Sequence, residues 1–239
     1  MRTALIFSGS STWTRRDPTA IETPPPETPA PGTAAPGTAV PPWPADVTIA
    51  ADSGWYEALR LGIVPDELHG DLDSVLDVAV DEAARLGVEI HRYPTDKDAT
   101  DLELALDRAV ALGAERLLVV GPGGGRLDHQ LGELLLLASE KYAELVVEAR
   151  LGGSTVHPVR GGPRPIPGRA GASVSIVPIA GPATVSTTGL RWPLVAEQLD
   201  PGSTRGISNE FDGDTATVGT ERGVVLVVVP CDAQRTTER

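Results

Sequence analysis

Apolar residues change their spacing twice along this chain. Residues 3–8 form a short continuous apolar run, the mark of a buried strand. From residue 47 onward, runs rich in β-branched residues alternate with stretches whose apolar positions recur every three to four residues. The pattern predicts strands at 47–51, 67–69, 88–93, 116–120 and 144–149. It predicts helices at 55–61, 74–86, 101–112 and 127–141. In the third helix, Leu102, Ala105, Leu106, Ala109 and Leu112 share one face and read as core. Strands alternating with helices imply a parallel sheet covered on both faces, with ligands outside the carboxyl ends of the strands.

From about Gly152 the helical spacing stops. Short β-type runs take over at 173–178, 183–187, 215–218 and 224–229, punctuated by Gly and Pro. This predicts a smaller all-β second domain, a sandwich or a barrel, joined through a Gly-, Pro- and Arg-rich linker at 161–171. The domain boundary is placed at residue 150, with the second domain running over 151–235. Residues 17–46 hold ten of the chain's 22 prolines and read as a disordered or polyproline-like surface insertion.

Composition narrows the function. A formal net charge of −13 argues against a nucleic-acid partner. The single cysteine, Cys231, allows no internal disulfide and no thiolate cluster, which fits a reducing cytoplasm. No apolar run reaches membrane-spanning length, and the opening MRTALIFSGSS is too short a run for a signal peptide.

Three motifs fall at strand-to-helix junctions. GDLDS places Asp71 and Asp73 two residues apart, so in extended chain both face one side and can share a cation. Ser74 then reads as a helix N-cap. In DKDATD, Thr100 and Glu103 form a capping box, and Asp101 is partly accounted for as a first-turn acid. Asp98 lies upstream of the cap and is the better metal-ligand candidate. Lys97 reads as a solvated loop charge rather than a phosphate contact. GPGGGRLDH supplies a glycine turn before a helix, where Gly124 and Gly125 let backbone N–H groups approach phosphate oxygens and Arg126 adds a planar fork. Asp128 is placed to orient metal, nucleotide or water, and His129 reads as a packing histidine. Together these motifs suggest an enzyme acting on a magnesium–nucleotide complex.

The segments ADSGWYEALRLGIVPDELHGDLDSV, DKDATDLELALDRA and GGGRLDH together resemble the thiamine pyrophosphokinase family. SVSIVPIAG, TTGLRWPL and GISNE extend the likeness in order and at similar spacing. The resemblance covers nearly the whole chain apart from 17–46 and the last few residues. It implies a Rossmann-like α/β nucleotide-binding domain followed by a smaller β-sandwich domain. It implies a homodimer with thiamine at the subunit interface, and transfer of a pyrophosphoryl group from ATP to thiamine with release of AMP. By motif position, Asp71, Asp73 and Asp98 are the magnesium-side acids, and Asp101, Arg126 and Asp128 complete the catalytic cluster. Asp52 and Ser53 join Gly124, Gly125 and Arg126 around ATP. Trp192 offers an aromatic face to thiamine, and Ser208 and Asn209 hydrogen-bond its aminopyrimidine. Asp98 and Asp128 are both open as acceptor of the hydroxyl proton. The chain departs from the family at Ser53, where glycine is usual, and at Leu72, where an aromatic is common. Rival readings are a diphosphokinase for another heterocyclic alcohol, such as a pterin, and a non-catalytic thiamine or nucleotide binder.

Overall fold

The computed structural model describes residues 1–9 and 44–231. Most of the proline-rich insertion, residues 17–43, lies outside the described residues. The chain divides into two units, Met1–Gln130 and Leu131–Arg239.

The first unit is mixed α/β. Its strands are β1 (Thr3–Phe7), β2 (Val47–Ala51), β3 (Glu67–Gly70), β4 (Glu89–Arg92) and β5 (Arg116–Gly121). They pair in parallel in the order β5-β1-β2-β3-β4. Helices α1 (Gly54–Arg60), α2 (Asp77–Arg85) and α3 (Asp101–Ala111) connect them. The path steps outward from β1 to β4 and then returns across the sheet to β5. Right-handed crossovers therefore place α1 and α2 on one face and α3 on the other. Trp55 of α1 packs with Ala50, Leu68, Leu72 and the α2 residues Ala79, Val80 and Ala83. Leu5 and Phe7 pack with Ala58, Leu118 and Val120. In α3 the buried residues are Leu102, Ala105, Leu106 and Ala109, four of the five read as core.

Two helices are shorter than their spacing suggested. The first turn of α2 begins at Asp77, with Leu76 at the N-cap and its N–H donating to the Tyr56 hydroxyl at 2.9 Å. Ser74 is not the cap; its hydroxyl donates to Asp73 at 3.0 Å instead. Helix α4 (Leu127–Leu137) ends before a 3-10 turn at Glu140–Tyr142.

The second unit is antiparallel. It comprises β6 (Val146–Leu151), β7 (Ser154–Arg160), β8 (Arg164–Pro167), β9 (Ser173–Thr188), β10 (Glu197–Leu199), β11 (Asn209–Glu210) and β12 (Thr215–Pro230). Strands β6 and β7 form a hairpin across Gly152 and Gly153, both at positive φ (56° and 79°). Two consecutive left-handed residues match the twist of the strands, and glycine adopts them without penalty.

The runs at 173–178 and 183–187 are one strand, β9, and those at 215–218 and 224–229 are one strand, β12. Each bends in the middle rather than breaking. In β12 the register slips between Thr220 and Val224, and β9 carries Ala180 and Gly181 at positive φ opposite that slip. The two halves of β12 then take different neighbours, β8 on Thr215–Val218 and β7 on Val224–Pro230. Ile166, Val174, Ile176, Val185, Phe211, Val218, Val225 and Val227 from both halves enclose one core. The stretch read as a linker, 161–171, contains β8 and belongs to this unit. Pro165 and Pro167 are tolerated because β8 has β12 as its sole described neighbour, so its other edge needs no ladder donors. Among the described residues no helix is long and apolar enough to cross a membrane.

Candidate active site

Every acid of the first two motifs follows the carboxyl end of a strand, but the reason they converge differs from the simple alternation of extended chain. Strand β3 stops at Gly70, and Leu72 turns left-handed at φ 63°. Its side chain is 6% exposed, packed beside Trp55, Val75 and Ala79. The turn is closed by the Asp73 N–H, which donates to Asp71 Oδ1 at 3.1 Å. An inward Leu72 thus throws Asp71 and Asp73 outward together. Asp52, which follows β2, is also left-handed (φ 48°), and its N–H donates to the His69 carbonyl at 2.7 Å. A left-handed non-glycine residue costs about 1–3 kcal/mol, and two of them flank this cluster.

The result is a group of three carboxylates. Asp52, Asp71 and Asp73 each place one oxygen so that all lie within 4.8 Å of one another. Burial pushes the Asp52 pKa up to about 6, with the charges of Asp101 and Asp73 adding to it. Its Oδ1 is buried without a hydrogen-bond partner among the described residues. A half-buried carboxylate of that kind, facing two others, is a site that favours a hard cation. Asp101, at the first turn of α3, is also shifted upward by burial and by Asp71 and Asp73, against the opposing pull of Lys97. The Thr100 hydroxyl accepts from the Glu103 N–H at 3.2 Å and fixes that helix start, as the capping pattern implied. Asp98 stands exposed in the β4–α3 loop, outside the three-carboxylate group.

Lys97 is not a solvated charge. Its Nζ lies 3.2 Å from Asp71 Oδ2 and 3.2 Å from Asp101 Oδ1, with the side chain only 15% exposed. Burial would raise the Asp71 pKa, but the Asp73 N–H and Lys97 outweigh it and hold the carboxyl below its ordinary value. Spacing alone did not reveal this bridge, because Asp71 follows β3 whereas Asp101 opens α3.

A second polar cluster lies directly behind the acids, and no motif announced it. Glu67 is buried and takes a two-pronged ion pair from Arg108 of α3, with distances of 2.9 to 3.2 Å. His69, fully buried, donates from Nε2 to Glu67 Oε2 at 2.7 Å, since a carboxylate only accepts; its Nδ1 then accepts from the Tyr93 hydroxyl at 3.1 Å. Glu67, His69 and His91 place ligand atoms close enough for a metal, but the two rings stack at 4.2 Å with planes 19° apart. One ion cannot lie in the plane of both stacked rings, and Arg108 already neutralises Glu67. The cluster is a clamp that fixes β3, β4 and α3, and hence Asp71 and Asp101, relative to one another.

The glycine turn after β5 holds Gly123, Gly124 and Gly125 at φ 62°, 73° and 76°. Three successive left-handed residues require glycine. Arg126 and Asp128 are exposed and bind each other in a two-pronged pair at 2.5 and 3.1 Å. That hydrogen bond lowers the Asp128 pKa to about 2. Ser53 is buried at the start of α1, close against Gly9.

In the second unit, Trp192 is 44% exposed, and the Arg191 guanidinium lies over its ring at 4.8 Å. Asn209 is 3% exposed. Its Oδ1 accepts from the Trp192 N–H at 3.1 Å and its Nδ2 donates to the Trp192 carbonyl at 2.7 Å. Asn209 therefore fixes the backbone that carries Trp192. Ser208 is exposed and left-handed (φ 57°), and its N–H donates to Ser175 Oγ at 3.1 Å.

Comparison with known proteins covers both units. The family model described as thiamin pyrophosphokinase, catalytic domain, matches residues 43–147. That described as thiamin pyrophosphokinase, vitamin B1 binding domain, matches residues 165–225. The thiamine pyrophosphokinase of Bacillus subtilis (strain 168) is 30% identical over 192 residues, covering 77% of this chain and 87% of the relative. A crystal structure of the Bacillus subtilis thiamine pyrophosphokinase superposes with a TM-score of 0.73 at 24% identity, covering 97% of this chain and all of that one. The Candida albicans thiamin pyrophosphokinase superposes at 0.69 with 14% identity over 95% and 90% of the two chains. At such identities the superpositions speak for the fold; the family rests on the sequence matches. Two family models in order and a relative matched over most of its length place the chain in the thiamine pyrophosphokinase family.

Proposed function

We propose that this protein transfers a pyrophosphoryl group from ATP to the hydroxyl of thiamine, giving thiamine diphosphate and AMP. The observation that carries the reading is the pair of ordered family matches, 43–147 and 165–225, with the acid cluster inside the first and Trp192 and Asn209 inside the second. The organisation that goes with it is a Rossmann-like nucleotide domain over 1–150, then a β-sandwich thiamine domain over 151–235. The protein would act in the cytoplasm as a homodimer with thiamine at the subunit interface.

The donor set fits magnesium: hard carboxylate oxygens only, one of them on Asp52 and buried without a partner among the described residues. Asp71 and Asp73 would hold the ion with Asp52 beside them, and Asp98, outside that group, is assigned to it by its motif. When bound, magnesium neutralises charge on the phosphate oxygens. The glycine-turn N–H groups and Arg126 orient the phosphates and stabilise charge that builds on them during transfer. To do so Arg126 exchanges its partner Asp128 for phosphate oxygens, which leaves Asp128 an ionised carboxylate near the reacting groups. Asp101 completes the cluster. Ser53 with Asp52 contacts the nucleotide.

Trp192 stacks on a ring of thiamine, and Asn209 and Ser208 serve its aminopyrimidine. The Arg191 guanidinium over the Trp192 ring supports reading that ring as a surface for a flat cation. Trp192→Ala is expected to weaken thiamine binding by about five- to 150-fold, in line with ~1–3 kcal/mol for ring stacking. Titration calorimetry with thiamine alone measures it, and unchanged affinity would show that the stacking assignment is wrong.

The function itself is tested by incubating the protein with thiamine, ATP and magnesium and weighing the products. Thiamine diphosphate and AMP in equal amounts are expected. Thiamine monophosphate with ADP would overturn pyrophosphoryl transfer, and no thiamine product would overturn the substrate.

A further inference from the structure

We propose that Lys97 is a tethered counter-cation that occupies the acid cluster before the divalent ion arrives and competes with it for Asp71, with Asp101 as its second anchor. The inference rests on the reading that these acids hold a divalent ion. It assigns a role to a residue that the motif spacing alone leaves as a solvated loop charge.

Three observations carry it. The ammonium bridges a carboxylate of the loop after β3 and one at the first turn of α3 at equal 3.2 Å distances. All three side chains are largely withdrawn from water, at 15, 12 and 22% exposure for Lys97, Asp71 and Asp101. Asp71 also belongs to the three-carboxylate group with Asp52 and Asp73. Four carboxylates in a confined space repel one another, and a partly buried cation offsets that repulsion more effectively than an exposed one. An ammonium and a divalent ion cannot both sit beside Asp71 without repulsion of their own. A free ion must therefore displace Lys97 and lose its two ion pairs. An ion arriving with a polyphosphate does not face the same loss, because phosphate oxygens give the displaced ammonium a new partner. The long unbranched stem of lysine allows that movement where a shorter cation would not. The device favours loading of the ion together with nucleotide over loading of the ion alone.

The test uses Mn2+ as the probe, titrated by electron paramagnetic resonance into the nucleotide-free full chain, the Lys97→Met variant and the Lys97→Arg variant. Lys97→Met is expected to bind Mn2+ at least about tenfold more tightly than the parent. Lys97→Arg keeps the charge and is expected to bind like the parent. A second measurement follows the melting temperature with and without Mg2+. Lys97→Met is expected to melt lower in the absence of the ion and to gain more from it than the parent does. Mn2+ binding by Lys97→Met equal to or weaker than that of the parent overturns the inference, as does Lys97→Arg binding Mn2+ as tightly as Lys97→Met. A Lys97→Met chain that stays unfolded in saturating Mg2+ also overturns it, because the ion then fails to replace the ammonium. Absence of Mn2+ binding in parent and variants alike removes the metal reading itself, an outcome distinct from parent and Lys97→Met binding Mn2+ equally.

Discussion

Asp73→Asn is expected to lower turnover by about a thousandfold or more while leaving the fold intact. The side chain is exposed, so little packing depends on it. Its backbone N–H, which closes the turn onto Asp71, is untouched by the substitution. The amide can still accept from the Ser74 hydroxyl in place of the carboxylate. What disappears is one negative charge among three oxygens gathered within 4.8 Å. A thousandfold loss corresponds to about 4 kcal/mol of transition-state stabilisation, the size expected when a principal electrostatic partner is removed. Steady-state rates at saturating magnesium, alongside circular dichroism and a melting curve, check both halves of the claim. An Asp73→Asn protein within tenfold of the parent rate would show that Asp73 does not hold the ion.

A second large effect is structural. Gly54→Ala is expected to abolish soluble folded protein or to cost more than about 4 kcal/mol, a large part of the stability of an ordinary domain. A Cβ at Gly54 would lie 2.0 Å from the Phe7 carbonyl oxygen and 2.6 Å from its carbon. Both are backbone atoms of β1, which is held on one side by β5 and on the other by β2. Neither strand nor helix can retreat without opening the centre of the sheet. Gly124→Ala provides the contrast. Among the described residues nothing lies within 4 Å of a Cβ there, and the left-handed φ of 73° carries the penalty. Its stability cost should be about 1–2 kcal/mol. Chemical denaturation of the two variants separates them, and a Gly54→Ala protein as stable as Gly124→Ala would refute the close-approach argument.

Much of the first unit was legible because its code is local. Helix α3 announces itself by Thr100 and Glu103 at one end and by the spacing of Leu102, Ala105, Leu106 and Ala109 within it. The second unit was less legible because its long strands bend. Ala180, Gly181 and Pro182 look like the end of a strand, yet β9 continues through them since β12 slips register alongside. Likewise the prolines of β8 read as linker until its single partner is known. Within the site, the acids could be named from their motifs, but their grouping could not. The left-handed turn at Leu72, the bridge made by Lys97 and the clamp of Glu67, His69, Tyr93 and Arg108 all depend on residues brought together by the tertiary fold.

Leu72 carries a consequence for sequence variation at this position. Its side chain fills an apolar hole beside Trp55 and Val75 while its backbone holds φ at 63°. Valine, isoleucine and threonine satisfy neither demand well, because branching at Cβ resists the left-handed region. Glycine and asparagine accept the backbone but leave the hole empty. Only apolar side chains without a branch at Cβ, such as leucine, methionine or an aromatic, meet both conditions, so the turn that gathers Asp71 and Asp73 narrows the choice at the residue between them.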